Sequence, residues 1–445
     1  MKTSDFKTMT PEDWYVANFR RFENSLNGEI TTPFHTVRQE AIARFSELGF
    51  PTTRNEEWKY TSISPLLKKE FTLGDETAKL SPQEIKKYTF KGLEETVVVL
   101  INGCYYSELS TFRADQKGVL VEGMAAAFAK HPQLISNFLA KYADYRQEPF
   151  VALNTAFTLD GVFVYIPEGT VIEKPIHLLN ISAPAEDNSF SNPRILIVAG
   201  RDSKVQLVET HEHYSGYSCF VNQVTEIVLE EKAVVDHIKI QDENLQTYHI
   251  ANRQVHQSKG SNYSSVNIDL GGALVRNNLN VKLNDENCEA HLIGFYLGKD
   301  NQHVDNHTFM DHAMPNCHSN ELYKGILDDK SRGVFNGKIM VRKDAQKTNA
   351  YQNNKSLLLS DFATMNAKPQ LEIFADDVKC SHGATVGELD EEALFYLRTR
   401  GIALEKARAI LQYAFASDVF SYIKIEAVRE KLDEILHERL SKNVK

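Results

Sequence analysis

RDSKVQLVE at 201–209, EEKAVVDHIKI at 230–240, SKGSNYSSVNIDL at 258–270 and NDENCEAHLIGFYL at 284–297 share one plan. Each opens with a short polar turn and continues into a run rich in β-branched and aromatic residues, the pattern of a strand. Their starts at Arg201, Glu230, Ser258 and Asn284 lie 29, 28 and 26 residues apart. A drifting repeat of this size predicts stacked coils of a β-solenoid, in which no coil can bury its apolar face alone. Apolar side chains alternate in the runs: Val205 and Leu207; Val266, Ile268 and Leu270; Phe335, Gly337, Ile339 and Val341. Each set points one way, so one strand face fills a narrow interior and the other meets solvent or partners. The Asn-rich NAYQNNK at 349–355 suits side-chain ladders between coils. A β-sandwich or jelly roll is the alternative reading of the same alternation.

Working outward, similar runs extend the pattern, among them VFVYIP from Val162, ILIVAG from Ile195 and KSLLLS from Lys355. The reading is a β core over 91–388 with a helical excursion near 122–145. Residues 1–90 read as helical. There FHTVRQEAIARFSELGF at 34–50 places Val37, Ala41, Phe45 and Leu48 on one helix face, with Gly49 as a C-terminal cap. Trp58 and Tyr60 sit among charges and read as an anchor onto a neighbouring layer. Residues 389–445 read as three amphipathic helices, the first capped by Asp390 and ended at Gly401. They either cap the solenoid or offer a docking surface.

Composition narrows the function classes. A net charge of −10 argues against a broad nucleic-acid footprint. The opening MKTSDFKTMTPEDW lacks a signal-peptide core, and no apolar run reaches the length of a membrane span, so a cytoplasmic protein is expected. Cys104, Cys219, Cys288, Cys317 and Cys380 form no C-x-x-C pair and suit reduced thiols. No P-loop, G-x-G-x-x-G, H-E-x-x-H or G-x-S-x-G occurs, and HEHY at 211–214 lacks the histidine spacing of a zincin.

Two stretches hold candidate ligands. HVDNHTFMDHAMPNCHS at 303–319 carries His303, Asp305, His307, Asp311, His312, Cys317 and His318. On a strand His303, Asp305 and His307 share a face, which suits a transition metal or polar residues satisfied by their neighbours. In the second stretch Cys380 and His382 share one strand face around Ser381. A thiolate beside an imidazole is half of a tetrahedral site for iron or an iron–sulphur unit. It is equally a histidine-activated nucleophile for sulphur transfer, or a structural pair.

ADDVKCSHGATVGELDEEALFYLRTRGI at 375–402 resembles the signature of the SufB/SufD family. So do PFVALNTAF at 149–157, YKGIL at 323–327, VFNGKIMV at 334–341, DAQKTNAYQNN at 344–354 and RNEEWKYT at 54–61, so that the resemblance covers essentially the whole chain. The compact N-terminal region and the absence of cysteine before Cys104 are most similar to the SufD branch. The resemblance implies a mainly β protein, a right-handed parallel β-helix flanked by N-terminal and C-terminal α-helical domains. It implies a scaffold subunit of iron–sulphur cluster assembly, not an enzyme. Such a subunit pairs with a SufB-like subunit through the β-helix and binds a SufC-like ABC ATPase through its C-terminal helices, in keeping with the missing P-loop. A homodimer of the isolated chain is compatible with it; nucleic acid and membrane are not expected partners. The family's functional histidine falls on His382, with Cys380 two residues before it. Both are expected as ligands for iron or a nascent cluster at the partner interface, with no cofactor permanently bound. A SufB-type cluster-building scaffold is the alternative, and a β-solenoid metal-dependent enzyme using 303–318 a more distant one.

Overall fold

The polar turns are the corners of a solenoid. In the computed structural model, which describes residues 9–26, 33–73, 79–114 and 117–441, φ is positive at Asp202, Lys232, Gly260, Asn287 and Asn316, each two residues before a strand. Gly, Asn and Asp reach this region most readily, which explains the polar composition. Each corner amide donates to the corner of the next coil, as from Asp202 N to Glu231 O (2.9 Å) and from Lys232 N to Lys259 O (2.8 Å). The following residue turns inward where space is small: Ser203, Ala233, Ser261, Cys288 and Cys317 are all buried. Cys288 and Cys317 are therefore corner fillers on adjacent coils, and all five cysteines are free thiols.

Two strands per coil build two facing parallel sheets. One runs from Val162–Ile166 through Arg194–Ala199, Cys219–Leu229, Thr247–Gln257, Leu274–Leu283, His303–His312 and Arg332–Val341 to Thr364–Ile373. The other runs from Val97–Ile101 and Ile176–Ser182 through Lys204–His213, Val234–Gln241, Asn262–Asp269, Glu289–Gly298, His318–Leu327 and Thr348–Leu358 to Val378–Gly387. The fold is thus a mainly β solenoid of about eight turns with helices at both ends of the chain. Coils stack in register, so identical positions form columns. Val205 and Leu207, and Phe335, Ile339 and Val341, fill the interior. Tyr296 and Tyr323, on adjacent coils, fit because each faces a glycine of the other's strand. A Cβ at Gly325 would lie 2.2 Å from Tyr296 Cζ, and one at Gly294 2.2 Å from Tyr323 Cε1. YKGIL is therefore a packing motif.

One alternation points the other way. Val266, Ile268 and Leu270 lie on the outer face, beneath the helices Leu404–Phe420 and Glu426–Ser441. Tyr263, Ser265, Asn267 and Asp269 of the same strand face inward, in register with Val235, His237, Lys239 and Gln241. The apolar set is outside because a second apolar layer covers it there. This placement also answers the two readings of the terminal helices. The last two cap neither end of the solenoid but pack along the side of the second sheet, where Lys324 Nζ donates to Phe415 O at 2.9 Å and pairs with Asp418, and the first packs on the second. Asparagine ladders form, but at Asn278–Asn252 (2.9 Å) and Asn277–Asn306 (3.1 Å), not within 349–355. There Asn354 donates to Tyr323 O and Gln352 to Glu321.

The N-terminal helices cover the outer face of the first sheet. Helix Pro33–Leu48 buries Ala41 and Phe45 and ends at Gly49, whose φ of +63 closes it through Gly49 N to Phe45 O. With helices Pro11–Ser25 and Pro149–Ala156 it packs an aromatic cluster that includes Tyr15, Phe50, Phe150 and Phe220. PFVALNTAF is this dock: Asn154 donates to Pro193 O and Asn222 O, while Arg194 donates to Asn154 Oδ1 and Thr155 Oγ1. Arg194 and Glu226 form a wholly buried ion pair at 2.5 Å, and Glu226 also accepts from the amides of Ala140, Tyr142 and Ala143. Among the described residues no helix is long and apolar enough to cross a membrane.

Candidate functional site

Cys380 and His382 stand on the last strand, Val378–Gly387. Their register partners on the preceding coil are Ala350 and Gln352, both buried inward residues. The two side chains therefore continue the interior column, but no further coil covers them. Cys380 is half-buried against the core and His382 is exposed. The expected sharing of one strand face holds by this register. Burial pushes the Cys380 thiol up from its ordinary value, so within this chain the thiol is protonated and no thiolate nucleophile is prepared. Among the described residues no third His, Cys, Asp or Glu completes a ligand set around the pair. Around it, Tyr351, Phe362, Ile373, Phe374 and Val386 are exposed, and the strands Thr364–Ile373 and Val378–Gly387 each leave one edge unpaired.

The 303–318 group divides. His303, Asp305 and His307 share the outer face as their spacing predicts, but the segment 54–61 covers them. The Thr61 hydroxyl donates to Asp305 Oδ2 at 2.5 Å and lies 2.8 Å from His303 Nε2. Arg276 Nη1 reaches Asp305 Oδ2 at 2.7 Å, and its guanidinium lies 3.7 Å over the Trp58 ring. His307 stands 2.9 Å from Asp305 and 3.4 Å from Glu57. Burial opposes ionisation of Asp305, yet the combined pull of His307, Arg276 and His303 holds its carboxyl well below the usual range. RNEEWKYT is thus a clasp over the trio: Thr61 takes up Asp305 Oδ2 and His303 Nε2 and Glu57 stands against His307 Nδ1, while Asp305 Oδ1 faces His307. The buried Asp311 pairs with the exposed Arg342, His312 Nε2 lies 2.8 Å from Ser319 Oγ in the interior, Cys317 fills a corner and His318 is exposed.

A polar interior in the middle coils escaped sequence reading. Glu209 Oε1 lies 2.7 Å from His211 Nε2 and Glu209 Oε2 2.9 Å from His237 Nε2. Lys239 Nζ lies 3.0 Å from His249 Nε2 and 2.9 Å from Asn277 Oδ1. Burial pushes His237 and His249 down to about 4 and Lys239 down to about 8. Burial opposes the Glu243 charge, but His249 and His211 outweigh it and bring the carboxyl to about 2. The available signal was ionisable residues at inward alternate positions, Glu209 with His211 and His237 with Lys239, in strands otherwise read as apolar.

Comparison with known proteins gives one family. Residues 181–415 match the family described as SUF system FeS cluster assembly, SufBD core domain, and residues 9–178 match the SufBD protein N-terminal region. An iron–sulphur cluster assembly SufBD family protein of Synechocystis is 32% identical over 404 residues, 89% of this chain and 88% of that protein. Iron–sulphur cluster assembly protein SufD of Escherichia coli is 29% identical over 412 residues, 90% of this chain and 92% of that protein. The chloroplastic protein ABCI7 of Arabidopsis thaliana is 30% identical over 425 residues, 92% of this chain and 87% of that protein.

Proposed function

The chain belongs to the SufBD family of iron–sulphur cluster assembly proteins, and from this we propose that it is a SufD-type scaffold subunit that builds clusters only with partners. The observation that carries the reading is the uncovered last coil. It presents Cys380 and His382 as half of a ligand set, rimmed by exposed apolar residues and two unpaired strand edges. Open edges of this kind are completed by strand addition from another chain. A SufB-like subunit ending in a similar coil is the fitting partner, and its thiolates or carboxylates would supply the remaining ligands. Iron or the nascent cluster is then the cargo of the interface, and His382 as neutral imidazole is one of its ligands.

A SufC-like ABC ATPase is the second partner. Phe395 and Tyr396 of helix Glu391–Thr399 are 69% and 57% exposed, an apolar pair with no cover among the described residues. The next helix is packed on the second sheet through Lys324 and Asp418. Movement imposed by a nucleotide-driven ATPase at Phe395 therefore has a rigid path to the solenoid. On this reading the chain turns over no substrate itself, and it works in the cytoplasm, where its five free thiols stay reduced.

Co-expression with SufB-like and SufC-like subunits tests it. His382→Ala should leave the ternary assembly intact but lower its iron and cluster content. Full cluster content in that variant would exclude the ligand role. Phe395→Asp with Tyr396→Asp should release the ATPase while the SufB-like subunit stays bound, and retention of the ATPase would place its dock elsewhere.

A further inference from the structure

We propose that the solenoid interior holds a second metal site, for a divalent ion of the Zn²⁺ or Fe²⁺ class, made by His211, Glu243 and His249. This does not rest on the reading of Cys380 and His382. His211 comes from strand Lys204–His213, His249 from Thr247–Gln257 of the opposite sheet, and Glu243 from the turn that joins Val234–Gln241 to Thr247–Gln257. Their ligand atoms lie within 4.8 Å of one another and all three residues are buried. Two imidazoles and one carboxylate are a donor set for zinc or non-haem iron(II), with positions left for water.

Three further observations point to an ion. First, His249 Nδ1 lies 2.8 Å from a Glu243 carboxylate oxygen in a close ionic contact that is not a hydrogen bond. Two atoms about 2.1 Å from one ion, at the right angle of an octahedral iron(II)-type site, are about 3 Å apart, close to this distance. Second, the surroundings are fixed. Glu209 stands against His211 Nε2, while Ser182 Oγ and Gln241 Nε2 donate to Glu243 at 3.1 Å each. Outer-shell groups hold imidazoles and carboxylates this way in metal centres. Third, Glu243 also lines a cavity of about 350 Å³ beside Arg439 of helix Glu426–Ser441. Its wall carries Asp242, paired with Arg439, together with Asp300, Asp328 and Lys299, so carboxylates outnumber cations there and favour a cation beside the buried set. Lys239, now bonded to His249 Nε2, keeps Asn277 Oδ1 as its partner when the ion binds.

The test uses the full chain carrying Cys380→Ser and His382→Ala, so that the last coil cannot report. After treatment with a chelator, this protein should retain one Zn²⁺ per chain on desalting, and Co²⁺ should give ligand-field absorption. His211→Gln with His249→Gln should abolish both signals. Glu209→Gln, which removes only the outer carboxylate, should weaken binding by about 10–100-fold. Should the double variant fail to fold, Glu243→Gln decides, with loss of the Co²⁺ spectrum expected. Failure of the stripped chain to bind overturns the site, as does binding that survives these substitutions, which assigns the ions to the surface.

Discussion

The two ends of the solenoid are built from the same repeat and finish differently. At the first coil, Cys104–Tyr105 folds back antiparallel on Val97–Ile101, and Leu120–Gly123 folds back antiparallel on Val162–Ile166. Phe112 and Val119 then close over Val98, Leu100, Val162 and Val164. At the last coil no strand returns among the described residues. Met365, Leu371, Val378 and Cys380 are only partly buried, while Phe362 and Phe374 are 71% and 63% exposed. The first end is thus sealed by one hairpin and one long-range antiparallel strand. The unsealed end leaves two bare strand edges, a feature that invites pairing or aggregation unless it is covered.

Substitutions should separate the ends by their effect on the chain itself. The largest loss is expected on the covered side, at Glu226→Ala. It strands a buried Arg194 and three amides, so urea unfolding should show a loss of about 3–5 kcal/mol. Next comes the interior between the ends. Burial lifts the Glu321 carboxyl from 4.5 to about 7. The folded chain then keeps a proton that the unfolded chain has released, and stability falls as pH rises between these values. Glu321→Gln should match the parent near pH 4 and exceed it at pH 8 by at most about 3 kcal/mol; equal unfolding curves at pH 8 would contradict the raised carboxyl. Gly294→Ala meets the Tyr323 ring and should cost about 1–3 kcal/mol by thermal or urea unfolding. The smallest effect is expected at the open end, where His382→Ala should move stability by no more than about 0.5 kcal/mol while lowering cluster content in the complex. A large loss of stability there would make His382 a packing residue and erase the contrast.

Local pattern carried much of this. Positive-φ corners favour Asp, Asn or Gly, though Lys232 holds one too, so the turns before Lys204, Asn262 and Glu289 were visible. The helix Pro33–Leu48 and the caps at Gly49, Asp390 and Gly401 were equally visible, because each depends on residues within a few positions. The face of Val266, Ile268 and Leu270 was not, because period-two alternation says that two faces differ and not which one is inside. Helix Leu404–Phe420, more than a hundred residues away, decides it. The His303–Asp305–His307 trio was legible as a face, but the clasp that occupies it comes from Thr61 and Glu57.

By itself, then, the sequence determined the coil, its corners and the pair Cys380–His382, since these follow from backbone sterics and from spacing along one strand. Only the tertiary structure decided that this pair ends an uncovered column, and that His211, Glu243 and His249 meet at all. Stacking in register turns distance along the chain into position within a column, and which columns are covered depends on every other segment that folds against them.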